Sequence, residues 1–230
     1  MLRVRLTAKV LGLVSLMGLM GAMPAWSVEL EVWVLDRDGK QLKDAVVVLE
    51  STVPGARPTP KAEVTINQEK MKFVPAVSVV HVSTKVNFVN LDRWDHHVRG
   101  GVAGPGGVYL DATQGYAFRL AGQKAGSPPA SQQRSYAQTG PQLLGCHLHG
   151  SMRGHLFVTD SPWAAVSDEQ GRAVLTQLPA GPARVRVWHG DELVETPVQS
   201  VNLSEGMAPL KVSTQVLPRK AKAAASPYDY

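Results

Sequence analysis

The chain has 230 residues, 44% hydrophobic and 19% charged, with a formal net charge of +5, which is enough apolar material for one or two packed cores and too much for a disordered chain. Three of the positive charges, Arg3, Arg5 and Lys9, fall in the first 27 residues, which hold no acidic side chain, so the remainder carries only +2. A charge that small, without Lys and Arg clustered on one face, excludes a nucleic-acid footprint.

Residues 1–27 have the form of an export leader. After the basic start, Val10 to Met23 is apolar and uncharged, and shorter than the ~20 residues a spanning helix needs. Ala25-Trp26-Ser27 then fits a small-x-small cleavage site. The expectation is a periplasmic protein cleaved near Ser27, with no membrane span afterwards; an uncleaved anchor is the alternative.

Beyond the leader the pattern is strands and turns, with no amphipathic helix. Val28–Leu35 alternates, Asp36-Arg37-Asp38-Gly39 supplies a turn, and Ala45–Leu49 is a β-branched run. Pro54 to Pro60 interrupts. Strands are expected at Glu63–Ile66, Val77–Val82 and Lys85–Asn90, the last ended by the turn residues Asn90 and Asp92. Gly100–Gly107 and Ala121–Ala130 read as loops. Strands resume at Leu143–Cys146, His155–Thr159, Ala173–Leu175, Arg184–Trp188 and Leu210–Val216. Residues 218–230 are basic and alanine-rich and read as a disordered tail. Short strands at this spacing predict an all-β sandwich architecture.

Cys146 is the only cysteine, so it cannot form a disulfide within the chain. A lone thiol in an oxidising compartment is vulnerable unless it is buried or bound to metal. Taken singly, Cys146 and Met152 read as core filler. Their neighbours change that. Gly145-Cys146-His147-Leu148-His149-Gly150-Ser151-Met152 gathers a thiolate, an imidazole and a thioether on one turn, and two His, one Cys and a weak axial Met make a blue-copper donor set. The second imidazole is sought in Asp95-His96-His97-Val98, 50 residues before Cys146. Adjacent residues of an extended chain point to opposite faces, so one histidine of the two can serve: His96 by preference, His97 otherwise. His147 reads as a solvent-facing neighbour and His155 as a competitor of Met152 on the outgoing strand. His81 and His189 read as ordinary strand or turn residues.

Residues 63–160 resemble a plastocyanin-type cupredoxin domain. Phe73-Val74-Pro75, Lys85–Asn90, His96-His97-Val98, Cys146-x-x-His149 and Met152–Val158 follow that family's order. The resemblance implies a Greek-key β-sandwich and one type 1 copper held by His96, Cys146, His149 and Met152. His97 stands where the family has an Asn that steadies the copper sulfur. The gap from His149 to Met152 is shorter than in plastocyanin and is similar to that of the dinuclear copper domain of cytochrome oxidase. That domain needs a second cysteine, which this chain lacks, so one copper is implied. Leu144-Gly145-Cys146 through Met152 is also similar to the signature of bacterial cupredoxin-like proteins labelled methylamine utilization proteins.

The flanks resemble a different module. Ser167–Arg172, Leu178–Gly181 and Arg184–Val187 look like the second half of a carboxypeptidase regulatory-like β-sandwich, and Val32–Leu49 like its opening half. The expected divisions are a leader (1–27), an N-terminal β segment (28–61), a cupredoxin domain (62–160), a β domain (161–217) and a tail (218–230). Either the cupredoxin domain is inserted into one sandwich built from both flanks, or the N-terminal strands extend the cupredoxin sheet. The resemblance implies one-electron transfer with a periplasmic partner such as a c-type cytochrome or an oxidoreductase. The rivals are a copper carrier or store, and an envelope scaffold whose site is vestigial or holds zinc. An enzyme is not expected, since no nucleophile–base pair or open metal position is evident.

Overall fold

The computed structural model describes residues 28–55, 57–109 and 115–218; the expectations for the leader, and for the tail beyond residue 218, lie outside them. The described residues form sixteen strands and a single 3-10 turn, Pro105–Gly107. In chain order the strands are β1 (Val28–Leu35), β2 (Val46–Glu50), β3 (Glu63–Glu69), β4 (Lys72–Val74), β5 (Val77–His81), β6 (Lys85–Asn90), β7 (His96–Val102) and β8 (Tyr116–Leu120). They continue with β9 (Ser131–Ser135), β10 (Gly140–Cys146), β11 (Arg153–Thr159), β12 (Trp163–Val166), β13 (Arg172–Leu178), β14 (Gly181–Trp188), β15 (Gln199–Leu203) and β16 (Leu210–Ser213). The chain is all-β. Among the described residues no helix is long and apolar enough to cross a membrane.

The strands form four sheets, ordered β13-β1-β16, β12-β2-β14-β15, β5-β11-β10-β7-β8 and β4-β3-β6-β9. Alternation along β1 sends Val28, Leu30, Val32 and Val34 inward, as the period of a half-buried strand requires. They meet Val47, Leu49, Leu175, Val185 and Leu203 in one core, which binds the first two sheets into a sandwich. Ile66, Phe88, Val98, Leu144, Leu156 and Val158 form a second core between the other two sheets. A third cluster joins the sandwiches: Val46 and Val48 from β2 pack on Val77 and Phe157. The uninterrupted valine run of β2 thus has a physical cause, because both faces of that strand are covered.

Strands from both ends of the chain interleave in the first sandwich. β1 runs antiparallel to β13 and parallel to β16, while β2 lies between β12 and β14. Leu49 pairs with Trp163, and the Ser161 hydroxyl donates to the Leu49 carbonyl, so the chain leaves for the second sandwich and returns at one place.

One expectation is corrected. Gly100 and Gly101, read as the start of a loop, belong to β7 and pair with β10. A Cβ on Gly100 would lie 2.3 Å from the Tyr116 ring, so glycine there admits a close-packed aromatic, a recognised use of glycine in strands.

Candidate metal centre

The site lies at one end of the second sandwich, where β6 feeds β7 and β10 feeds β11. β6 ends on Asn90, a fully buried side chain. Its amide donates to the carbonyls of Trp94 at 2.9 Å, Leu120 at 3.2 Å and Ala121 at 3.0 Å, and its oxygen accepts the Asp92 N–H at 2.9 Å. That one side chain sets the path of residues 91–95 and delivers His96 to the start of β7. Alternation then fixes the faces. His96 points inward with no exposed surface, Val98 follows it into the core, and His97 points outward.

β10 ends on Cys146, directly opposite Val98, with 3% of its surface exposed. The chain then turns, the Met152 N–H donating to the His149 carbonyl at 2.9 Å, and enters β11. The turn brings the half-buried His149 back over Cys146. Cys146 Sγ lies 3.7 Å from His96 Nδ1 and 3.5 Å from His149 Nδ1. The three donor atoms lie within 4.8 Å of one another.

The donor set fits a metal ion. Metal–sulfur and metal–nitrogen bonds of ordinary length place S and N about 3.5 Å apart in a tetrahedral site and about 3.8 Å apart in a trigonal one. The two Cys–His distances fall at those limits. Met152 is 1% exposed and belongs to the same core as Cys146. Both also border one cavity.

Asp92, which reads in the sequence as turn punctuation, has a second task. Its carboxylate accepts His96 Nε2–H at 2.9 Å, and also the N–H groups of Lys70 at 2.7 Å and Met71 at 3.0 Å. Lys70 and Met71 form the β3–β4 turn with φ of 52° and 57°, a primed hairpin geometry that aims both amides at the carboxylate. Burial pushes the Asp92 carboxyl up, but hydrogen bonds from Met71, His96 and Lys70 together outweigh it and hold it below the usual value. With Nε2 engaged, His96 is oriented to offer Nδ1, the role a carboxylate plays behind many metal-binding histidines.

The remaining histidines lie elsewhere. His97 and His147 face each other on the outer surface, ring centroids 4.9 Å apart. His155 packs edge-on to Trp188 at 5.5 Å, on the face turned toward the first sandwich. His81 contacts Ser83 and the Asp160 carbonyl, and His189 is buried in the loop after β14.

No family model and no curated protein matches the chain. Solved structures give partial likenesses. A Cu(I) form of an amicyanin mutant is 21% identical, covering 43% of this chain and 83% of that one, with a TM-score of 0.32. A second Cu(I) amicyanin mutant is 22% identical over 49% and 98%, also at 0.32. A copper-containing nitrite reductase from Thermus scotoductus is 21% identical over 49% of this chain and 25% of that one, at 0.31. Scores this low carry no weight on their own; the strands and the donor geometry do.

Proposed function

We propose that this chain is a periplasmic type 1 copper protein of the cupredoxin class that carries single electrons between redox proteins. The carrying observation is the convergence of His96 Nδ1, Cys146 Sγ and His149 Nδ1 within 4.8 Å at the end of a β-sandwich. Two imidazoles and a thiolate, with the Met152 thioether as a fourth donor, would suit a blue-copper site. Bound copper would supply a one-electron couple.

Each side chain has a role in that reading. Asp92 fixes the ring of His96, and burial keeps Cys146 away from oxidants. His149 is the donor nearest solvent, and Leu148 and Trp94 beside the ligand segments are 56% and 44% exposed. An apolar surface next to a metal ligand suits a brief docking partner such as a c-type cytochrome. Donors held on β7, β10 and a tight turn need little rearrangement between oxidation states. This favours a carrier of electrons over a carrier or store of copper, which would profit from mobile donors.

The test is the visible and EPR spectrum of the mature chain loaded with one equivalent of Cu²⁺. An intense blue band with narrow copper hyperfine splitting is expected, and Cys146→Ala should lose both. A pale, ordinary copper spectrum in the unmodified chain would contradict the proposal.

A further inference from the structure

β7, β10 and β11 lie side by side, and their register sets Arg99 opposite Gly145 on one side and Arg153 opposite it on the other. All three positions share the outer face, because Val98, Leu144, Cys146 and Gly154 alternate inward. The middle member has no side chain. In its place is a cavity of about 190 Å³, bordered by Arg99, Arg153, Tyr109, Gly145, Cys146 and Met152. A Cβ on Gly145 would lie 3.2 Å from the Tyr109 hydroxyl and 3.3 Å from Arg99 Nε, so both polar atoms converge on the gap that glycine leaves. The Arg99 guanidinium lies 5.2 Å from the Tyr109 ring centroid, which holds it at the rim.

Among the described residues, the ion pairs engage Arg119, Arg172 and Arg186, but neither Arg99 nor Arg153. Two guanidinium-bearing positions two strands apart, on the order of 10 Å between backbones, flank an open space with a phenol at its edge. Guanidinium forks match oxyanions in shape and charge. We propose that this cavity binds a small oxyanion, of carboxylate or phosphate size, between Arg99 and Arg153, with the Tyr109 hydroxyl turning from the Arg99 carbonyl, 3.5 Å away, to serve as a further donor. The volume suits an anion of a few atoms and no nucleotide. Cys146 and Met152 also border the cavity, so the bound anion sits next to the segment that carries two of the proposed donors.

The cavity needs no metal for this binding, which separates its test from that of the copper site. The mature chain, metal-free and after addition of one equivalent of Cu²⁺, is titrated calorimetrically with sodium phosphate and separately with sodium acetate at constant ionic strength. One saturable site is expected in both forms. Binding of phosphate alone would identify a tetrahedral oxyanion, and of acetate alone a carboxylate. Arg99→Gln and Arg153→Gln should each weaken binding at least tenfold, and Gly145→Ala, which puts a methyl group in the gap, should do the same. Tyr109→Phe, which removes only a hydroxyl, should weaken it severalfold and guards against a misfolded arginine variant. Arg184→Gln, on the first sandwich, should bind as the unmodified chain does. Absence of saturable binding, equal binding by all variants, or binding confined to the copper-loaded form would overturn the proposal.

Discussion

Asp92 receives hydrogen bonds from two segments that meet at the metal centre: the β3–β4 turn, through Lys70 and Met71, and His96 itself. Asp92→Ala should therefore act twice. Leaving two backbone donors without an acceptor should cost about 1–3 kcal/mol in urea unfolding, and freeing the His96 ring should lower metal affinity roughly 10–100-fold in chelator competition. An unchanged affinity would mean that the contact does not position the ligand. Glu192 provides a pH-dependent counterpart far from that site. Only 7% exposed, it accepts the Thr196 N–H at 2.7 Å and the Thr196 hydroxyl. Burial pushes its carboxyl above the ordinary 4.5, against the lowering effect of the Thr196 bonds. The folded state thus holds its proton more tightly than the unfolded chain, and stability falls as pH rises from 4.5 through the raised value. Glu192→Gln keeps an acceptor for Thr196 without the charge. It should have a higher urea midpoint than the unmodified chain at pH 7, and this advantage should vanish below the ordinary 4.5. At this scale the structure brings together His96, Cys146 and His149, three of the residues singled out in the sequence, whereas the sequence left His97 open, since alternation alone does not give the phase of a strand. Asp92 was illegible as a partner of His96 because the turn that shares it lies more than twenty residues upstream.

β7 contains the clearest conflict between composition and structure. Two glycines in a row signal a loop, yet here Gly100 leaves room for Tyr116, whose ring stacks on Phe118 with centroids 6.1 Å apart. Gly100→Ala should cost about 1–3 kcal/mol through overpacking, measured by denaturant unfolding. Combining it with Tyr116→Ala should cost less than the sum of the two single changes, as expected for residues in direct contact. Strands with a clear apolar period, such as β1 and β6, could be read to their observed limits. β9 could not, because Ser131–Ser135 is exposed throughout and pairs only with β6 at the edge of its sheet. Nothing in such a polar segment records the neighbour that holds it. β8 did carry a signal, with Tyr116, Phe118 and Leu120 alternating on one face, but only five residues long.

Across the whole molecule, the contact between the sandwiches centres on Phe157, which lies 5.5 Å from the Trp188 ring and touches the outer face of β2. Phe157→Ala should cost about 3–5 kcal/mol and split a single calorimetric transition into two, as each sandwich comes to melt alone. The first sandwich has a different dependence. A fragment of residues 161–218 would lack β1 and β2, which stand between β13 and β16 and between β12 and β14. Circular dichroism of that fragment should show an unfolded chain. Both halves of this sandwich left traces in the sequence, where their union was one of two alternatives, but the register, with Val28 beside Leu178 across most of the chain, was not legible.

The parallel pairing of β1 with β16, from Val32 beside Leu210 to Leu35 beside Ser213, also has a mechanical consequence. A pull on the start of β1 against the end of β16 loads their bonds in shear, so they must break together and not one by one. The tension passes between these neighbours and bypasses residues 51–162, so stretching the molecule leaves the histidines and cysteine undisturbed until that clamp gives way.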